Sequence, residues 1–473
     1  SKTSLLDFFY LSYFQRMEST FQHWPVIVLL IGIVSVVVLI AIMKIHAFIS
    51  LMFSATLIGV LSSQLPGEGV NHYVTAVELS MTEFGITAGK IAFVIALASI
   101  LGVALTLSGA AEKIVIKFID ILGERFAPIA LLISGFVLSI PVFFDTVFFL
   151  LIPIGYSMGR RLKKNYVLFV MAISAGAAVT HHLVPPTPGP LIMAETLQLN
   201  LGLVILVGLL AGLIPVTIAY LYSIRLSKRI KVDPPKFAEE PTDESTLPSF
   251  TLAILPIIVP LLLIIIASAT DYFGSSEGGD NTLINFIGNK NVAMLIGTII
   301  SLWLLAKQKN WGLSQVSNSM EKPLEIAGVI ILITSAGGAF GGMIKHSGIG
   351  DWIKDLATGG LELNYILLAW VVAAIMKIAQ GSGTVAMITA AGIMYSLVGT
   401  GAELAYHPVY ILLSIGFGAM FITWMNDSGF WVICKLSGFS EKQTLQTWTV
   451  VLGLIGVVGL IETLILANLF PLV

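Results

Sequence analysis

Charged side chains are scarce in this sequence. Only 11% of the 473 residues are Asp, Glu, Lys or Arg, whereas 56% are hydrophobic; a soluble domain carries about a quarter charged residues. The hydrophobic residues form about a dozen blocks of roughly 17–22 residues, long enough to cross a hydrocarbon core of about 30 Å. A soluble fold is therefore excluded, and the sequence predicts an all-α polytopic protein of the lipid bilayer.

Cysteine and a strong net charge are missing as well. The single cysteine, Cys434, excludes an intrachain disulfide and a multi-cysteine metal site. The net charge is −2, and the basic residues lie in short loops, which indicates membrane topology rather than a surface for polyanions. We therefore expect no nucleic-acid partner, no metal site and no cofactor.

A polar linker divides the hydrophobic blocks into two halves. Residues 1–24 are mixed in polarity and predict a peripheral or interfacial helix. Residues 231–248 are rich in proline and acidic residues and predict an exposed cytoplasmic linker. The two halves are then residues 25–230 and 249–473. The predicted crossings are 25–43, 47–63, 91–108, 202–222, 250–270, 291–306, 324–343 and 446–468.

Four further hydrophobic blocks are interrupted by polar residues, proline or glycine. The block 127–158 is interrupted at 141–146, 165–198 at 185–190, 364–398 at 380–384, and 408–437 at 426–429. The order of these features is the same in both halves of the chain, which indicates an internal duplication.

Similar local sequences support the duplication. Leu107-Ser108-Gly109 matches His346-Ser347-Gly348, and Asp145-Thr146-Val147 matches Gly383-Thr384-Val385, both about 239 residues apart. Any two membrane segments share some likeness, but several features in one order at one spacing are hard to obtain by chance. Repeats of this kind are typical of secondary carriers.

The positive-inside rule then sets the orientation. The richest basic clusters lie at 160–164 and 225–231, and placing them in the cytoplasm makes the halves inverted repeats with both termini outside. The interrupted blocks 127–158 and 364–398 become re-entrant hairpins. The prediction is about ten transmembrane crossings, two re-entrant hairpins and two broken helices in an inner membrane.

The four interruptions together predict a binding site near the membrane midplane. Backbone that leaves helical geometry inside a bilayer loses hydrogen bonds worth several kcal/mol per group, and it persists only where protein, water or ligand replaces them. Helix N-termini there offer free N–H groups and partial positive charge, which suit a carboxylate. A kink in a packed helix is the alternative, but the proline cluster at 185–190 is too dense for one.

Ionisable residues lie at the same interruptions. Asp145 and Asp427 are candidate proton carriers or sodium ligands, and the alternative is a structural ion pair, for example Asp145 with Lys377. Lys377 is also a candidate partner for an anionic substrate. For His181 and His182, substrate contact and a purely structural role both remain open.

Two other patterns are interpreted as structural. The glycine-rich stretch 337–342 lies in a predicted crossing with no strand before it, so it predicts close helix packing rather than a dinucleotide site. Glu83, Asp280 and Glu403 fall in predicted external loops and are expected to be solvated.

At the interruptions the sequence resembles the gluconate permeases, the gluconate:proton symporter family. The matching stretches are PVFFDTVFFLLIPI, AVTHHLVPPTPGP, ILITSAGGAF, KIAQGSGTVAMITAAGI and NDSGFWVICKLSGFSEKQTLQTW. The resemblance implies proton-driven import of a small hydroxy- or amino-carboxylate and membership of the ion-transporter superfamily. It also implies a homodimer with an elevator-type movement of a transport domain against a scaffold.

The resemblance extends to individual positions. Residues at the family's motif positions are Thr180, His181, Pro185, Pro186, Pro188, Gly189, Pro190, Ser382, Thr384, Asn426 and Asp427. Lys377 stands where an arginine is expected, so a bidentate clamp on a carboxylate would become a point charge. His182 and Thr187 also differ from the expected residues, which leaves the substrate open.

These observations predict a secondary transporter, not an enzyme, that moves gluconate or a related sugar acid together with H⁺, with Na⁺ as the alternative coupling ion. The alternative is a sodium- or proton-coupled carrier of glycerate, D-serine or a dicarboxylate. A channel would need a continuous polar pore, and an intramembrane enzyme would need an assembled nucleophile and base. The scaffold is predicted mainly at 25–63 and 250–306, and the transport domain mainly at 109–200 and 345–440.

The predicted substrate-binding residues are Thr146, His181, Pro186, Gly189, Lys377, Ser382, Gly383, Thr384 and Asn426. The predicted proton-coupling residues are Asp145 and Asp427.

Overall fold

The protein is helical throughout the part of the chain that the computed structural model describes, which comprises residues 24–63, 65, 71–162, 166–234, 244–273, 282–348, 364–401 and 404–472. Residues 1–23, which comprise all but the last residue of the predicted N-terminal helix, lie outside these residues, and so do residues 235–243 of the linker, Asp280 and Glu403. The helices of the first half are α1 Trp24–Val37, α2 Ala47–Leu61, α3 His72–Leu107, α4 Ala110–Leu122, α5 Ala127–Leu138, α6 Phe144–Leu162, α7 Tyr166–Leu183, α8 Pro188–Thr196, α9 Leu201–Ala211 and α10 Leu213–Arg229.

The second half contains helices in a similar order. They are α11 Phe250–Phe273, α12 Thr282–Gly288, α13 Lys290–Lys309, α14 Leu313–Ser319, α15 Glu321–His346, α16 Tyr365–Gln380, α17 Gly383–Val398, α18 Val409–Gly418, α19 Ser428–Leu436, α20 Glu441–Thr444 and α21 Val450–Leu469. A π-helical turn, Leu445–Thr449, joins α20 to α21.

All four predicted interruptions are present as breaks between helices. They separate α5 from α6, α7 from α8, α16 from α17, and α18 from α19. Small residues let the neighbours of these breaks pack closely, because a Cβ at Gly135 of α5 would lie 2.7 Å from the Ile173 carbonyl oxygen of α7. The breaks are therefore held inside a packed bundle.

The helix α3 is longer than predicted. It spans 36 residues from His72, whereas the sequence predicted a crossing that starts at residue 91. Polar residues such as Glu83 and Thr87 lower the hydropathy of its first half, so the sequence did not predict this half as part of the crossing. Glu83 is not simply solvated: its Oε1 lies 3.0 Å from His346 Nε2 on α15, and the two side chains are only 22% and 25% exposed.

The glycine-rich stretch of α15 packs against α3 on one side. A Cβ at Gly342 would lie 2.6 Å from Glu83 Oε2, and a Cβ at Gly338 would overlap the Thr87 side chain. The two glycines are four residues apart, so they share one face of the helix. This face lets α3 approach the α15 backbone directly.

The other pair of glycines packs α15 against α17. A Cβ at Gly341 would lie 2.7 Å from the Cα atom of Gly392, and a Cβ at Gly337 would overlap Ile388. The predicted role in close helix packing is confirmed, and α15 forms a shared wall between α3 and α17.

The coarse prediction of an all-helical membrane protein is confirmed. Within the described residues, seven helical segments, some of which combine two consecutive helices, are long and apolar enough to cross a membrane, or eight if the pair α4–α5, bent by 114°, counts as one span. Shorter apolar helices, among them α1, α2 and α16 to α18, are not assigned by length alone. The total of about ten crossings and the inversion of the repeats therefore stay predictions.

Candidate functional site

A cavity of about 430 Å³ lies where the four breaks meet. The break at 185–190 and the turn at 380–384 are neighbours there, because a Cβ at Gly383 would overlap His182 Nε2. The turn at 380–384 also touches the fourth break, since a Cβ at Gly381 would overlap the Asn426 carbonyl oxygen. Segments that are more than 200 residues apart in sequence thus form one site, as predicted.

Most of the predicted site residues line this cavity. They are Asp145, Thr146, His181, Lys377, Ser382, Gly383, Thr384 and Asp427. Pro186, Gly189 and Asn426 do not line it. Gly189 packs against Met387, and Asn426 donates from Nδ2 to the Ile378 carbonyl oxygen at 2.8 Å. Substrate contact at these three positions has no support in the cavity geometry.

Lys377 and Asp427 form a buried ion pair. Lys377 Nζ contacts Asp427 Oδ2 and also donates to the Gly381 carbonyl oxygen at 2.6 Å. The side chains are 3% and 13% exposed, respectively. The structural ion pair predicted for Asp145 and Lys377 is not formed, because the lysine pairs with Asp427 instead. Asp427 lies nearer because α19 starts directly beside the turn that ends α16.

Asp427 also caps α19. Its Oδ1 accepts a hydrogen bond of 3.0 Å from the Phe430 N–H, which satisfies one of the free donors at the start of a helix. The sequence analysis expected this helix N-terminus to be open for the carboxylate of a ligand. In the structure, a carboxylate of the protein itself occupies part of that position.

The N-terminus of α17 also faces the cavity, but its cap is a neutral hydroxyl group rather than a carboxylate. Ser382 is the N-cap, and its hydroxyl accepts from the Val385 N–H at 3.3 Å. Gly383 and Thr384 line the cavity, and the N–H groups at the first positions of a helix have no partner within the helix. With Lys377 beside it, this helix start offers donors and positive charge to an anion.

The two histidines differ in their hydrogen bonding. His182 Nδ1 lies 2.8 Å from the Ala178 carbonyl oxygen, and because a carbonyl only accepts, Nδ1 carries the proton. When the ring is neutral, its Nε2 atom is therefore an acceptor for a ligand hydroxyl, and this atom faces Gly383. His181 Nδ1 is buried and has no hydrogen-bond partner among the described residues.

Asp145 lies in the first turn of α6 and lines the cavity. Within the described part of the chain, its carboxylate forms neither a hydrogen bond nor an ion pair. Aromatic side chains cover this end of the cavity, where the Phe144 and Trp448 rings stack at 5.4 Å. Asp145 is therefore an unpartnered carboxyl group that faces the same space as Lys377.

Sequence reasoning missed one wall of the cavity. This wall consists of Ile326, Ile330, Ile333 and Thr334 on α15, together with Trp448 in the π-helical turn. Apolar residues at helical spacing are typical of packing, so their pattern held no signal for a site on α15, although the stretch ILITSAGGAF of the family resemblance contains Ile333 and Thr334. The stretch EKQTLQTW was part of the family resemblance, but it carried no sign of a π-helical turn.

The comparisons with known proteins agree with this architecture. The sequence model of the GntP family permeases matches residues 24–470. The chain belongs to the GntP permease family. It is similar to a gluconate permease of Pseudomonas aeruginosa, with 31% identity over 93% of this chain and 96% of the relative. It is also similar to a gluconate permease of Bacillus subtilis, with 30% identity over 92% and 98%.

Family membership makes the protein a multi-pass transporter rather than an enzyme. Among solved structures, this GntP permease is similar to the YdaH transporter of Alcanivorax borkumensis, with a TM-score of 0.59, 16% identity and coverage of 90% of this chain and 97% of the other. MtrF of Neisseria gonorrhoeae gives a TM-score of 0.59 at 14% identity, with coverage of 92% and 97%. These two likenesses show the fold only.

Proposed function

We propose that this GntP permease is a secondary active transporter that carries gluconate or a related sugar acid by proton-coupled symport. The single observation that carries the proposal is the cavity in which Lys377 and the start of α17 lie together. The names of the relatives from Pseudomonas aeruginosa and Bacillus subtilis support gluconate as the substrate class.

The cavity suggests how a sugar acid would be bound. Its carboxylate would accept hydrogen bonds from the Gly383 and Thr384 N–H groups and from Lys377, which has a third N–H beyond its contacts with Gly381 and Asp427. The hydroxyl groups of Thr146, Ser382 and Thr384 would bind the substrate hydroxyls. Asp145 or Asp427 would take the coupling proton.

Movement between the two sides of the membrane would follow an elevator mechanism. The proposed scaffold comprises mainly 25–63 and 250–306, and the proposed transport domain comprises mainly 109–200 and 345–440. The half-buried ion pair between Glu195 and Lys290 joins these two groups, so it would break and re-form during each cycle. A homodimer in the inner membrane, with both termini outside, completes the proposal.

Uptake into proteoliposomes tests this function. We expect purified protein to concentrate radiolabelled gluconate when an inward proton gradient is imposed, and unlabelled L-idonate or other sugar acids to compete. A sodium gradient without a proton gradient should not drive uptake. Accumulation with sodium alone would reject proton coupling. Absence of gluconate transport, together with uptake of glycerate or D-serine, would reject the proposed substrate.

A further inference from the structure

We infer that Asp145 carries the coupling proton, while Asp427 remains ionised as the permanent partner of Lys377. This assignment rests on the proposed function and separates the two aspartates that the sequence treats as equivalent. It follows from what each carboxylate contacts and from the charge of the cavity.

Asp427 has two contacts that both require a carboxylate. One is the buried ammonium group of Lys377, and the other is the Phe430 N–H at the start of α19. A proton on Asp427 would leave Lys377 as a cation without its counter-ion at 3% exposure, which is strongly unfavourable in a protein interior. Protonation there would also weaken the cap of α19, so the contacts hold Asp427 in its charged form.

Asp145 has no such contact. Its carboxylate lines the cavity without a hydrogen bond or ion pair in the described part of the chain, so a proton can be added or removed without breaking a protein contact. The titratable groups that share the cavity with it are His181, His182, Lys377 and Asp427. Of these, Lys377 is already engaged with Asp427.

The charge of the cavity explains why substrate and proton would bind together. With neutral imidazole rings, two carboxylates and one ammonium leave one net negative charge among the lining residues. An anionic substrate would add a second negative charge beside Lys377 and Asp427, whose side chains are only 3% and 13% exposed, so that the charges are weakly screened. A proton on Asp145 cancels this addition, so the loaded cavity has the same charge as the empty one.

Proton uptake on substrate binding tests the assignment. Purified protein in weakly buffered detergent solution is mixed with gluconate, and a pH indicator counts the protons taken up. We expect about one proton per gluconate for the unmodified protein at a pH where Asp145 is ionised in the empty cavity. Asp145→Asn should bind gluconate with no proton uptake and with an affinity that does not change with pH.

Two carboxylate-preserving variants serve as controls. Asp145→Glu and Asp427→Glu should both keep proton uptake, even if their affinities fall. Continued uptake of one proton by Asp145→Asn would overturn the assignment. If the unmodified protein binds gluconate without proton uptake, the assignment fails while the transport function stands.

A measurement without substrate decides the question if a variant does not bind. Infrared titration follows the band of protonated carboxyl groups as the pH is lowered. We expect the part of this band that comes from the carboxyl group in the cavity to disappear in Asp145→Asn and to persist in Asp427→Asn. The reverse pattern would assign the proton to Asp427 and overturn the inference. This result stands even if gluconate proves not to be the substrate.

Discussion

The buried pair Lys377–Asp427 makes a quantitative prediction about stability. Lys377→Met removes the ammonium but retains the volume of the side chain, and it leaves the Asp427 carboxylate without a counter-ion at 13% exposure. Breaking a buried ion pair from one side costs about 3–5 kcal/mol, whereas replacing both partners is often close to neutral. Because Asp427 keeps its bond from the Phe430 N–H, we expect about 3 kcal/mol for the single substitution.

The double substitution Lys377→Met with Asp427→Asn isolates the interaction. Asn still caps α19, so the double variant should lie within about 1–2 kcal/mol of the unmodified protein and should be more stable than Lys377→Met alone. Melting temperatures from intrinsic tryptophan fluorescence in detergent give the order of stability.

The exposed pair Arg161–Glu124 is the matched control for this cycle. Its side chains are 64% and 45% exposed, so the same set of substitutions should change the free energy of unfolding by about 1 kcal/mol or less. The reasoning is refuted if the double variant at Lys377 and Asp427 is as unstable as the two single effects added together.

Three further predictions concern glycines and one histidine. Gly381→Ala should lower both gluconate uptake and stability far more than Gly123→Ala. Both glycines have a positive φ, of 85° and 80°, but only Gly381 has another backbone segment against the added methyl group; equal effects would show that backbone strain alone matters. Gly338→Leu should separate α15 from α3 and lower the melting temperature. Gly328→Leu, in open space on the same helix, should have little effect. Similar melting curves for the two variants would contradict the close packing of α15 against α3. Burial lowers the pKa of His407, so the neutral ring is favoured in the folded state and the free energy of unfolding should decrease as the pH falls below about 6.5. His407→Asn should lose part of this decrease in melting curves, and an identical pH slope in both proteins would exclude the effect.

Local signals in the sequence predicted the breaks in the fold. Proline and glycine inside hydrophobic blocks mark positions where helical hydrogen bonding ends, and the four breaks occur where these residues lie. Hydropathy gave the wrong start for α3. Polar residues such as Glu83 lower the local hydropathy and therefore suggest a loop, whereas in the fold they contact the neighbouring helix α15. Hydropathy reports a residue's preference for lipid and carries no information about burial against another helix.

The site was predicted in outline but not in its pairing. The sequence predicted that Asp145, Lys377 and Asp427 lie in one site, because each is next to a break. It could not choose the partner of Lys377, since Asp427 is 50 residues away and only the folded arrangement of α16 and α19 sets that distance. Gly189 is a different case: its family motif was recognised, and in the structure it packs against Met387 and does not line the cavity, so its substrate contact stays a prediction.

The contacts of α15 differ between its two neighbours. Toward α3, the hydrogen bond between His346 and Glu83 adds a polar contact to the glycine face. Toward α17, Gly341 meets Gly392 backbone to backbone, and the Ile388 side chain fills the space beside Gly337. Ile388 therefore has to leave this position before α17 can shift along its axis, so α17 would move against α15 between discrete packed positions rather than by continuous sliding.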